Sequence, residues 1–123
     1  GSDESLSSTY YQIGCIYSKQ KKDTRLAIMN YEISLELLEN KCILNDITRV
    51  QFNKIEGALS EVTGKNADAL QTYKELVLFF GFRFPYKKVE VATFIGFVGH
   101  GYTLTHNFGM AFEKYNECLN ILK

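Results

Sequence analysis

Apolar residues recur along this chain at helical spacing. Tyr10, Ile13 and Tyr17 form one short stripe, Phe52, Ile55 and Leu59 a second, and Phe94, Val98 and Tyr102 a third. Between them run stronger stripes. Ile28, Tyr31, Leu35 and Leu38 stand at i, i+3, i+7 and i+10, and Leu70, Tyr73, Val77 and Phe80 repeat that spacing. Ala111, Tyr115, Leu119 and Leu122 follow the same face near the C-terminus. The pattern predicts six amphipathic helices in three pairs, an all-α fold.

The breaks fall where such pairs need them. Asp23 or Thr24 is expected to cap the second helix, Asn45-Asp46 the third, Asn66 the fourth and Asn107 the sixth, each offering a side-chain oxygen to an otherwise unpaired N–H. Gly64 is placed just after the third helix, where a left-handed residue favours glycine. Gly81 to Pro85 ends the fourth helix, because a proline drives the residue before it out of helical geometry. Pro85 itself suits the first turn of the fifth helix.

Three segments can be laid over one another. Ala27, Ala69 and Ala111 are spaced by 42 residues, as are Tyr31, Tyr73 and Tyr115, while Gly14, Gly57 and Gly99 are 43 and 42 apart. Each glycine falls in a first helix and each alanine in a second. Together they permit close backbone approach, and the tyrosine one turn after the alanine fills the remaining groove. Glycine inside a helix costs about 1 kcal/mol relative to alanine, so its recurrence calls for a packing reason.

At these residues the chain resembles the tetratricopeptide repeat family, which sets a small residue and an aromatic three apart on its first helix and Ala-x-x-x-aromatic on its second. The best stretch is Gly57 to Tyr73, where Gly64 also matches the inter-helix glycine. The resemblance covers nearly everything after about Ser5. It departs from the family in its 42-residue period, against 34, in Tyr10, Asn53 and Ile95 at the tryptophan-like position, and in the missing closing proline. Lengthened repeats of this kind look like those of kinesin light chains and of bacterial peptide-pheromone receptors. The resemblance implies three stacked antiparallel hairpins in a short right-handed α-solenoid, with repeats at about 5–44, 45–85 and 86–123. Residues 1–4 are set aside as an unstructured start, with Gly1-Ser2 a cloning scar.

Composition narrows the function. Of 123 residues, 14 are basic and 14 acidic, a formal net charge of zero. Phosphate neutralisation rests on a cationic surplus, so nucleic acid is not an expected partner, nor is an anionic membrane. The longest apolar tract, Val91 to Leu104, is too short to span a bilayer and is broken by Thr93, His100 and Thr103. Cys15, Cys42 and Cys118 are odd in number and widely spaced, without a CxxC pair, which speaks against a disulfide framework or a zinc site. With no signal peptide or glycosylation sequon, the chain is expected to be cytoplasmic.

Enzymatic constellations are sparse. His100 and His106 form no HExxH motif, and Gly96 to Gly101 fits neither phosphate-loop nor dinucleotide fingerprints and is better explained by helix packing. Cys15 and Cys118 fall at small-residue positions and read as inert thiols. Lys19 to Lys22 reads as a solvated turn, and Glu32, Glu36 and Glu39 as a solvated helix face. Phe79, Phe80, Phe82, Phe84 and Tyr86 are either core under a long connection or an exposed patch. No catalysis, cofactor or metal is expected.

By the resemblance, first helices line a concave binding surface. The implied lining is Tyr11, Cys15, Ser18 and Lys19, then Lys54, Ala58, Glu61 and Val62, then Gly96, His100, Thr103 and Leu104, joined by Gln51 and Thr93. Some relatives grip a C-terminal carboxylate with lysine, arginine and asparagine; here Lys19 and Lys54 lack the asparagines. The expected role is a scaffold or adaptor that binds a peptide segment of a partner through apolar anchors. The alternatives are a sensor of a short signalling peptide and a self-association module. The last helix has no polar capping helix after it, so the chain is expected to be a piece of a longer array or to form a homo-oligomer through that helix.

Overall fold

The computed structural model describes residues 2–41 and 45–123. Gly1 and Cys42, both singled out above, lie outside the described residues. The described residues form six helices and no strand: α1 (Ser2–Lys19), α2 (Thr24–Leu38), α3 (Asp46–Val62), α4 (Asn66–Arg83), α5 (Lys88–Leu104) and α6 (Phe108–Leu122). None of them is long and apolar enough to cross a membrane.

Local chemistry explains most of the boundaries. The Asp23 carboxylate accepts from Leu26 N at 3.2 Å and the Asn107 side chain from Met110 N at 3.3 Å. Asn45 accepts from Ile47 N and Thr48 N, at 2.9 and 3.1 Å. Gly64 follows α3 with φ +79°. Three expectations are corrected. The start, set aside as unstructured, is helical from Ser2; Asp3 and Glu4 suit the positive end of the helix dipole and reach Lys41 Nζ at 3.2 and 3.8 Å. Asn66 is the first residue of α4, and its amide donates to Leu104 O at 3.4 Å. Pro85 lies before α5 rather than in its first turn. Lys87 N donates to Phe84 O at 3.0 Å, closing a turn whose second position suits the fixed φ of proline.

Within the stretch expected to form one domain, the chain divides into two compact units, Gly1–Lys65 and Asn66–Lys123, each described by itself. In the first, α2 packs on α1 and α3, around buried Ala27, Tyr31, Leu38 and Ile55. In the second, α5 packs on α4 and α6, and Ala69, Tyr73 and Val98 form the centre of the core. Phe80 meets Phe94 edge-on at 4.9 Å between ring centroids, and Tyr73 meets Phe97 at 5.4 Å.

Two contacts recur between the α1–α2 and α5–α6 hairpins. A Cβ on Gly14 would lie 2.6 Å from the Tyr31 ring, and one on Gly99 would lie 3.0 Å from the Tyr115 ring. Ser34 Oγ donates to Ser7 O at 2.6 Å, and 84 residues on Cys118 Sγ donates to Ala92 O at 3.1 Å. A small polar side chain on the second helix thus bonds the backbone of the first in both hairpins. Ser7 Oγ also donates to Ser34 O at 2.9 Å, so both buried hydroxyls are satisfied. Gly101 brings α5 onto α4: a Cβ there would lie 3.0 Å from Leu70 Cα. The glycine-rich run of α5 is accounted for by packing.

Candidate functional site

In the first unit, Tyr11 and Cys15 lie a turn apart on α1. On α3, Gln51, Lys54, Ala58 and Glu61 recur at i, i+3, i+7 and i+10 and share one face. Lys54 Nζ stands 5.0 Å from the centre of the Tyr11 ring, within cation–π reach. Tyr11 in turn meets Tyr31 of α2 at 5.8 Å, and Tyr31 Oη donates to Cys15 Sγ at 3.6 Å. Helices α1, α2 and α3 therefore converge on one cluster of lysine, two tyrosines and a thiol.

The electrostatics follow from desolvation. Burial lowers the Lys54 ammonium from its ordinary value, and the neighbouring Cys15 opposes that effect. Burial raises both phenols, with Cys15 adding to the rise in each; Glu61 adds to that of Tyr11, and Ser18 opposes that of Tyr31. Among the described residues no carboxylate lies within ion-pair distance of Lys54. The ammonium is half out of water, with an aromatic face as its neighbour. It can donate to an incoming carbonyl or carboxylate oxygen, and it does so more strongly than a fully hydrated lysine would.

The implied lining residues have different fates. Tyr11, Lys54 and Glu61 come together, and Gln51 is half-buried on the same face of α3. Lys19 is exposed at the last position of α1, away from that cluster in sequence. In the second unit Thr93, His100 and Thr103 share an exposed face of α5. The two threonine hydroxyls donate to their own helix, to Val89 O at 2.9 Å and Gly99 O at 3.0 Å. Leu104 is half-buried beside the Asn66 amide.

The opposite face of α5 carries a feature that the sequence did not announce. Ile95, Val98 and Tyr102 floor a groove of about 290 Å³, walled by Val77 and Leu78 of α4 and by Met110 of α6. Lys74, Lys114 and Glu117 edge it, with Lys74 Nζ 5.2 Å from the centre of the Tyr102 ring and Lys114 paired to Glu117 at 3.2 Å. Val98 and Tyr102 belong to the stripe predicted as hairpin core, and that reading concealed their second side.

The aromatic segment divides between core and surface. Phe80 and Phe84 pack together at 5.0 Å, whereas Phe82 is 86% exposed and Tyr86 is exposed beside it. Arg83 lies 3.7 Å above the Phe79 ring. The basic turn and the Glu32, Glu36 and Glu39 face are exposed. Among the described residues no group of three or more histidine, cysteine or acidic side chains could hold a metal ion. Compared with models of protein families, with curated proteins and with solved structures, the chain matches none.

Proposed function

We propose that the chain is a non-catalytic protein-interaction module, built of tetratricopeptide-like hairpins, that holds a peptide segment of a partner protein. The observation that carries this reading is Lys54, a half-buried ammonium without a carboxylate partner among the described residues, set over Tyr11 where α1 and α3 present a common face. An extended peptide exposes backbone carbonyls, and Lys54 supplies a donor for one of them. Tyr11, Cys15 and Ala58 offer apolar surface for the adjoining side chains. The zero net charge of the chain favours a peptide bound by apolar anchors over a long acidic tail.

The test is a library of random peptides displayed against the wild-type protein. Sequences enriched on it should carry apolar anchors and should lose binding to Lys54→Glu and Tyr11→Ala, both retaining the wild-type circular dichroism. Enriched peptides that bind Lys54→Glu as well as wild type would place recognition elsewhere, and His100→Glu would then report on the exposed face of α5.

A further inference from the structure

The outer face of α6 is apolar and uncovered. Phe108, Phe112, Tyr115, Leu119 and Leu122 are all exposed, Phe112 to 71%, and they succeed one another at intervals of four, three, four and three. That is the seam spacing of paired helices, with successive residues on one side of the cylinder.

The repeat shows what such a face does elsewhere in the molecule. Forty-two residues before Phe112, Tyr115, Leu119 and Leu122 stand Leu70, Tyr73, Val77 and Phe80 of α4. These are covered by α5, through Leu70 on Gly101, Tyr73 on Phe97 and Phe80 on Phe94. The same face of α2, with Tyr31, Leu35 and Leu38, packs in one core with Phe52, Ile55 and Leu59 of α3. Only α6 presents the face without a covering helix among the described residues.

We infer that this face pairs with α6 of a second copy of the chain, in a symmetric two-helix seam. Three observations favour that occupant. Two acidic residues, Glu113 and Glu117, balance Lys114 and Lys123, so two copies of this segment meet without net repulsion, and none of the four charges lies on the stripe. The five side chains expose roughly 500 Å² per copy, so a symmetric pair removes about 1,000 Å² from water, near the lower bound of a specific interface. The competing head-to-tail arrangement would lay α1 of one copy on α6 of the next. On α1 the positions equivalent to Phe52, Ile55 and Leu59 are Thr9, Gln12 and Ile16, all exposed; Ile16 would suit that face, but the polar Thr9 and Gln12 would be desolvated against phenylalanine and leucine. The seam is therefore isologous and stops at two copies.

Sedimentation equilibrium over a range of concentrations tests this on the whole chain. The expected result is a single species of twice the 14.1 kDa chain mass, without larger assemblies. Phe112→Glu and Leu119→Glu should each weaken association by at least about 100-fold with helical content unchanged, since both positions are already solvated in one chain. Phe112→Leu should remain dimeric and serves as the control if a glutamate variant misfolds. A wild-type monomer at about 1 mM, far above the working range of specific dimers, overturns the inference. So does a dimer that survives both glutamate substitutions. A ladder of growing assemblies abolished by Gln12→Arg would establish head-to-tail stacking instead.

Discussion

Gly14 is the position at which the hairpin geometry makes its sharpest demand. A methyl group there would lie 2.6 Å from Cδ1 and Cε1 of Tyr31 and 3.3 Å from Cζ. Carbon atoms in contact prefer about 3.5–4.0 Å, so two ring atoms would be overlapped by nearly an ångström. The ring has little room to yield. Tyr31 is 2% exposed, stacks against Tyr11 and is tied through its hydroxyl to Cys15. Forcing a methylene-sized group into such a core costs about 1–3 kcal/mol, and alanine returns about 1 kcal/mol of helix propensity. With so close an overlap the upper part of the range applies, and Gly14→Ala should destabilise by about 1–2 kcal/mol. Gly99 supplies the control. Its added Cβ would lie 3.0 Å from a Tyr115 ring that is 41% exposed in a single chain and, in a Phe112→Glu background that keeps the chain monomeric, can swing outward. There the two effects should cancel to within about 0.5 kcal/mol. Urea unfolding followed by circular dichroism measures both, and adding Tyr31→Leu to Gly14→Ala should recover part of the loss. If Gly14→Ala matches or exceeds wild-type stability, or if Gly99→Ala is the more damaging change, the close approach of α1 to Tyr31 is wrong.

Further outcomes follow from other contacts. Ser34→Cys, which copies the side chain of Cys118, should cost under about 1 kcal/mol in thermal unfolding, whereas Ser34→Leu, which copies Leu76, should cost about 2–3 kcal/mol by overpacking against Ser7. Tyr31 has a phenol raised above its ordinary value near 10, so the unfolded chain releases that proton first and stability falls as the pH climbs past 10. Tyr31→Phe should lessen that alkaline decline in a pH series of melts, and the part that remains should include the contribution of Tyr11, whose phenol burial also raises. Lys54 has the opposite sign: its folded value is depressed, the unfolded chain binds the extra proton below 10.5, and stability rises as the pH climbs through the folded value. Lys54→Met should therefore melt no lower than wild type at neutral pH while losing peptide binding. Gly64→Ala should lose about 1 kcal/mol, because φ +79° is left-handed although nothing crowds the Cβ.

The helices were legible because each writes its pattern locally. Stripes at helical spacing, the caps at Asp23, Asn45 and Asn107, and the left-handed Gly64 all act within a turn or two of themselves. The glycine–tyrosine contacts were legible for another reason: repetition at a fixed interval turned a long-range contact into a visible periodicity. Signals without a local partner misled. Pro85 is compatible both with a helix start and with the second position of a turn, and Asn66 can cap or can reach across to α5. The Ser7–Ser34 bond escaped notice, since serine at those positions is replaced by other residues in the remaining repeats. At the candidate site, residue types on α1 and α3 could be named, but their convergence depends on how far Tyr31 rises between the helices. The groove over Ile95, Val98 and Tyr102 was hidden by its own composition, which in a stripe reads as core.

The two compact units and the 42-residue period are out of phase. The period separates α2 from α3, whereas compactness separates α3 from α4 at Lys65–Asn66. The segment that repeats in the sequence is therefore not the segment that closes a core. Removing one period from the chain would strip α3 from Tyr31, Leu35 and Leu38 and offer that face to α5. Whole periods could be exchanged only where an incoming first helix is interchangeable with the one it replaces. What successive periods must share is the fit between the second helix of one and the first helix of the next. That fit is seen where Phe52 shares a core with Tyr31, Leu35 and Leu38 of the preceding period, and where Phe94 meets Phe80 edge-on.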